Sequence, residues 1–192
     1  MIDDLNIGES LRKKQQHLNN KYGIQPGVWT KDLFSIPHLN YRIEYNTVRP
    51  FAYGHRIVSL NYTHYNGALA DPNGANFHEL INNFTFRKNR WYGELHSVFA
   101  LTGEDYNGTL YGNNLWGGEA GVPAFGSTTL QGLRTKSGYN SITAGWTINP
   151  AWNTNIQLQL GNRFRKNDQT NQSENFISFG VTTNLVNYYY DH

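Results

Sequence analysis

Apolar and polar residues alternate along four stretches of this chain. Leu39, Tyr41, Ile43 and Tyr45 fall on one side of an extended segment, and Asn40, Arg42, Glu44 and Asn46 on the other. Ile142, Ala144, Trp146 and Ile148 oppose Ser141, Thr143, Gly145 and Thr147 in the same way. Ile156, Leu158, Leu160 and Phe164 oppose Asn155, Gln157, Gln159 and Arg163. In the fourth, Ile177, Phe179, Val181, Thr183 and Leu185 oppose Ser178, Gly180, Thr182 and Asn184. A period of two predicts β-strands with one face in apolar and one in polar surroundings. Two further strands are predicted, one with Leu80, Phe84 and Phe86 on one side, the other with Trp91, Leu95, Phe99 and Leu101 opposite Glu94 and His96. The stretch 23–33 is another candidate, weakened by Pro26. Residues 9–20 read either as a short helix or as a loop.

The connections alternate in length. Asn149-Pro150-Ala151 and Lys88-Asn89-Arg90 join strands tightly, and 34–38 is also brief. Long loops rich in Gly, Asn and aromatic residues occupy 50–76 and 105–128, with a shorter one at 166–174. Short turns at one end of a sheet and long loops at the other are characteristic of an outer-membrane barrel.

Alternation alone leaves two orientations open. A soluble sheet packs its apolar face inward, whereas a membrane barrel turns it to lipid and lines a lumen with the polar face. The placement of the chain's aromatic residues favours the second. Aromatic residues make up 15% of the chain while apolar residues reach only 38%, so rings are set among polar residues rather than in continuous greasy runs. Trp91, Tyr92, Trp152 and Tyr188 to Tyr190 stand at strand ends, where amphipathic rings form interfacial girdles. Arg42, Glu44, Arg87, Glu94, His96 and Arg163 then project from mid-strand into the lumen.

The remaining composition excludes more than it assigns. A net charge of +2 gives no basis for nucleic-acid binding, and zero cysteines exclude disulfides and thiolate chemistry. No run reaches the roughly 18 apolar residues of a membrane-spanning helix, an absence that does not bear on barrel strands. The N-terminus, MIDDLNIGES, has neither a basic nor an apolar region and is not a secretory signal. Six to eight strands barely reach the smallest barrel. The expected fold is therefore all-β: an antiparallel up-and-down transmembrane β-barrel, with residues 1–192 forming one partial domain, the C-terminal part of a larger barrel. The export signal is expected on a missing N-terminal part.

Several segments resemble a Bacteroidetes-type outer-membrane family, that of gliding-motility protein RemB, related to capsule-assembly protein Wzi. They are LNYRIEYNTVRPFAYGH (39–55), NYTHYNGALADPNGANFHEL (61–80), WTINPAWNTNIQLQLGNR (146–163) and FGVTTNLVNYYYDH (179–192). The most specific part is EYN-x-VRP followed by N-x-x-HYN and GANF-x-EL. The resemblance implies a large monomeric barrel of the outer membrane with extracellular loops at 50–76 and 105–128. It also implies a non-catalytic role at the cell surface, in gliding motility or in assembling and binding capsule or other surface polysaccharide. A porin-like solute channel with a polar lumen is the alternative. The implied partners are outer-membrane lipid, the barrel-assembly machinery and surface polysaccharide. In such barrels an aromatic-ended terminal strand, here Phe179, Val181, Leu185, Tyr188 and Tyr190, serves as the assembly signal.

Candidate chemistry is sparse. Tyr53, His55, Tyr62, His64, Tyr65, Asn66, Asn73 and Asn76 gather rings and amides on one loop, suited to stacking on and hydrogen bonding a glycan. His55 and His64 lack the further ligands zinc requires, so no metal site and no cofactor is expected. Asp71-Pro72-Asn73-Gly74 has the residues of a type I turn. Glu94 and His96 on one strand face could in principle activate a nucleophile, but paired lumen charges explain them as well, and no catalytic residue is expected. The Gly-rich 112–126 lacks a phosphate-loop ending and is expected to be a mobile extracellular loop.

Overall fold

The computed structural model describes residues 1–65 and 67–183. Its elements run β1 (Ile2–Asp4), α1 (Ile7–Lys13), β2 (Lys21–Ile24), β3 (Gly27–Thr30), β4 (Leu39–Val48), β5 (Thr63–His64), β6 (Gly67–Ala68), β7 (Phe77–Lys88), β8 (Trp91–Glu104), β9 (Leu133–Asn149), β10 (Thr154–Lys166) and β11 (Asn171–Thr182). One antiparallel sheet takes the order β1-β2-β4-β7-β8-β9-β10-β11, and β3 also pairs with β4. β5 and β6 form a separate small hairpin. The sheet is open: among the described residues β11 pairs only with β10, and β1 only with β2. The all-β antiparallel expectation holds, while barrel closure is absent from the sheet as it stands. Among the described residues no helix is long and apolar enough to cross a membrane.

Several boundaries differ from those expected. The region 23–33 is two short strands, because Pro26 cannot donate to the ladder and splits the partner of β4 in two. Lys14 at φ 53 ends α1 well before residue 20. The β10–β11 connection is 167–170 rather than 166–174. Lys166 pairs with Asn171, and Asn167 accepts from the backbone N–H groups of Gln169 and Thr170, so a compact Asx turn replaces a loop. The second long loop runs to residue 132. Leu185, Tyr188, Tyr190 and Asn66 lie outside the described residues.

Register brings the strand patterns together. Partners directly opposite in the ladder project to the same face. From β4 to β11 that rule puts Tyr41, Phe84, Leu95, Ile142, Leu160 and Ile177 on one continuous row. Among the described residues that pair in the ladder, the apolar strand residues predicted to share a face do so. This apolar face is exposed: Ile142 at 52%, Leu158 at 45% and Phe179 at 72%. Only nine hydrophobic residues are buried among the described residues. A two-layer soluble domain would bury its apolar face against a second layer, and among the described residues no second layer covers this one.

Cross-strand aromatic–glycine pairs tighten the polar face. Gly145 lies opposite Tyr92, and Gly161 opposite Phe176. A Cβ at Gly161 would come within 2.0 Å of the Phe176 ring, so the ring lies flat over the bare backbone and shields it.

Candidate functional site on the loop-covered polar face

The apolar core that exists sits at the loop end of the polar face. Val48 and Phe77, cross-strand partners on that face, are covered by Ala52, Tyr53, Ala75 and Leu115 from the two long loops. The loops therefore fold inward over the sheet. Asn76, completely buried, is the main tie. Its Nδ2 donates to the carbonyls of Gly103 (2.6 Å), Tyr111 (3.1 Å) and Gln131 (3.0 Å), and its Oδ1 accepts from Leu130 N (2.6 Å). Four loop and strand-end backbone groups that would otherwise be orphaned are satisfied by one side chain.

A second tie is ionic. Lys21 Nζ donates to Gly54 O at 2.6 Å and to Glu119 Oε1 at 3.0 Å, with both side chains almost fully buried. This pair joins β2 to both long loops. Arg49, also buried, donates to Asn20 O and Ser127 O, and burial lowers its pKa from the ordinary value. The Gly-rich 112–126 is thus anchored rather than free, because Leu115 enters the core and Glu119 meets Lys21. That corrects the expectation of a mobile loop.

Between the loops and the sheet lies a polar cavity of about 400 Å³, bounded by Asn73, Glu104, Asp105, Asn113, Thr135 and Arg165. Its walls are held in place. Arg165 grips both carboxylate oxygens of Glu104 at 2.6 and 2.7 Å. Asp105 Oδ1 accepts from Tyr111 N and Gly112 N. Asn113 Nδ2 donates to Asn73 O and Ala75 O. Asp71–Gly74 is the turn its residues predict: Gly74 N donates to Asp71 O at 2.9 Å, and Gly74 takes φ 76. Any Cβ there would meet Asn113 O at 2.3 Å, so glycine is required for the wall to close.

The eight-residue loop set predicted for a glycan divides. Tyr53 and Asn76 are buried, a correction to their assignment: one ring fills the core and one amide holds the backbone together. Burial, then the Asp71 carboxylate, raise the Tyr53 pKa, keeping its hydroxyl neutral. Tyr62 and Tyr65 are exposed, Tyr65 at 94%, with His64 edge-on to Tyr65 at 4.4 Å. His55 is half-buried, and Asn73 is a wall of the cavity, bonded to Glu79.

The six charged strand residues share the polar face by register, but they spread along it in local pairs. Arg42 pairs with Glu44 and Arg163 with Glu174, while the Arg87 guanidinium lies 5.1 Å over the Tyr92 ring. Glu94 accepts from Asn83 at 2.8 Å, and buried His96 Nδ1 has no partner. No group of three or more metal-ligating side chains occurs among the described residues. Glu104, Thr135 and Arg165 were not singled out from sequence, although each continues the polar parity of its strand by one or more steps.

Comparison of the chain with family models, with curated proteins and with solved structures finds no match in any of the three. The fold defines the class: an open antiparallel sheet whose apolar face is bare among the described residues and whose polar face is roofed by loops at one end.

Proposed function

We propose that this sheet is part of a transmembrane β-barrel of the outer membrane, whose loop-covered end acts at the cell surface on polysaccharide. The observation that carries the reading is inversion: the apolar face is solvent-exposed while loops cover one end of the polar face. In water an uncovered apolar face of this extent is costly; in lipid it is the stable arrangement.

The dimensions agree. Along β9, Trp146 and Lys136 are ten positions apart on the apolar face, as are Ile156 and Lys166 on β10. Ten residues span about 34 Å along a strand, or about 26 Å across a membrane at a tilt of about 40°, close to the roughly 25 Å apolar band of such barrels. Trp91 and Trp146, 6.4 Å apart, mark the turn-side border. One row within the band is polar: Asn82, Ser97, Asn140, Asn162 and Asn175 are successive cross-strand partners. Internal bonds reduce its cost in lipid, since Asn82 accepts from Tyr41 Oη and Asn162 donates to Asn175, each at 2.8 Å.

At the covered end, amides, hydroxyls, two carboxylates and a guanidinium line a cavity of sugar-accommodating size, with exposed Tyr62, Tyr65 and Trp116 on the loops outside. This favours a saccharide over a freely passing solute, because the loops fold onto the polar face instead of leaving it open. The resemblance to the RemB and Wzi family adds the same theme, surface polysaccharide handling or gliding motility, as the biological setting.

The membrane reading is tested by extraction and reconstitution: the chain is expected to require detergent, and a monodisperse chain without detergent sinks it. The function is tested on a glycan array, where replacing loop 61–76 is expected to abolish binding. In planar bilayers, steady conductance would instead support the channel.

A further inference from the structure

We propose that the loop-side border of the apolar face binds an anionic, phosphate-bearing lipid, its acyl chain lying in a groove of the sheet and its headgroup held by Lys136, Lys166 and Arg134. The inference rests on the membrane reading above.

The charge arrangement comes first. Lys136 is the direct cross-strand partner of Lys166, and both are exposed on the apolar face. Like charges opposed in a ladder, with Cβ atoms about 5 Å apart, destabilise the sheet. Arg134, exposed two positions further along the same face, adds a third positive charge. Among the described residues none of the three joins an ion pair. An anionic group between the lysines would convert mutual repulsion into two attractions.

The groove comes second. Immediately below these cations the apolar face holds a cavity of about 370 Å³, lined by Tyr45, Leu80, Phe99, Leu101 and Phe164 and reaching Lys136. Gly138, the cross-strand partner of both Phe99 and Phe164, lets the Phe164 ring lie close against the sheet, and the two ring centres that wall the groove stand 6.5 Å apart. The groove's polar atoms are already used, because Tyr45 Oη and His78 Nδ1 bond each other at 2.6 Å. What remains suits an alkyl chain, with the Lys136 stem along one edge and its ammonium at the headgroup.

Depth comes third. The lysine row stands about 26 Å from the tryptophan row by the tilt argument, which is headgroup level on the loop side. A soluble phosphate would use the cations and have no need of the groove; a lipid uses both.

The test follows the thermal midpoint of the full chain in zwitterionic detergent during titration with bisphosphorylated lipid A, with phosphatidylcholine, and with inorganic phosphate. Lipid A is expected to raise the midpoint saturably, and the other two to leave it unmoved. Lys136→Gln with Lys166→Gln should weaken lipid A binding about thirtyfold, from about fivefold per lysine near an anionic surface, whereas Lys88→Gln at the turn end should change it less than about twofold. Equal response to inorganic phosphate, equal loss in Lys88→Gln, or undiminished binding by the double variant would each overturn the proposal. Those outcomes in a detergent-requiring chain leave the membrane reading standing; a detergent-free soluble chain removes that reading itself.

Discussion

The two faces of this sheet share the same strands and have opposite fates. On β10, Leu158 and Leu160 stand in the open, while their neighbour Asn155 is 5% exposed and bonded to Thr147. Across the loop end, the polar face has a roof pinned by Asn76 and by Lys21–Glu119; among the described residues the apolar face has none. Ordinary burial rules would assign cover to the other side. The contrast teaches that cover was built for the loop end of the polar face by specific hydrogen bonds, while among the described residues nothing covers the apolar face.

The largest expected effect lies in the roof. Lys21→Met leaves the Glu119 carboxylate buried beside an already unpartnered Oε2, and should cost about 3–5 kcal/mol in denaturant unfolding. Adding Glu119→Leu should recover much of that loss. Next comes the comparison itself. Leu158→Arg should destabilise the chain refolded in bilayers by about 2–4 kcal/mol, because arginine would face hydrocarbon. Gln159→Arg, one residue away on the polar face, should be close to neutral; equal costs at the two positions would break the distinction between faces. Gly161→Val drives a side chain into the Phe176 ring and should cost about 1–3 kcal/mol, read from the thermal midpoint. Smallest is Arg163→Gln. The Arg163–Glu174 pair is exposed on both partners, so its removal should cost less than about 1 kcal/mol and vanish in high salt.

Much of this was legible beforehand. Arg42, Glu44, Arg87, Glu94, His96 and Arg163 share a face because side-chain direction in a strand is a local, two-residue property. The Asp71–Gly74 turn was legible for the same reason, its chemistry being contained in four residues. Asn76 and Tyr53 were misassigned to a binding surface because their partners lie far along the chain: Asn76 reaches residue 131, and Tyr53 packs with Leu115. Nothing near Lys21 announces Glu119, 98 residues on.

The polar row on the apolar face divides the two kinds of information most clearly. Each strand's sequence carries its own interruption: Asn82 between Leu80 and Phe84, Ser97 between Leu95 and Phe99, Asn162 between Leu160 and Phe164. Alternation and its breaks were determined by the sequence alone, since Cβ direction reverses at every residue whatever the neighbours do. That the breaks form one row, that Lys136 meets Lys166, and that the loops fold over the polar face were decided only by the tertiary structure. Register and loop docking depend on which distant backbone groups find each other, and a strand's own pattern is unchanged by sliding two residues along its partner.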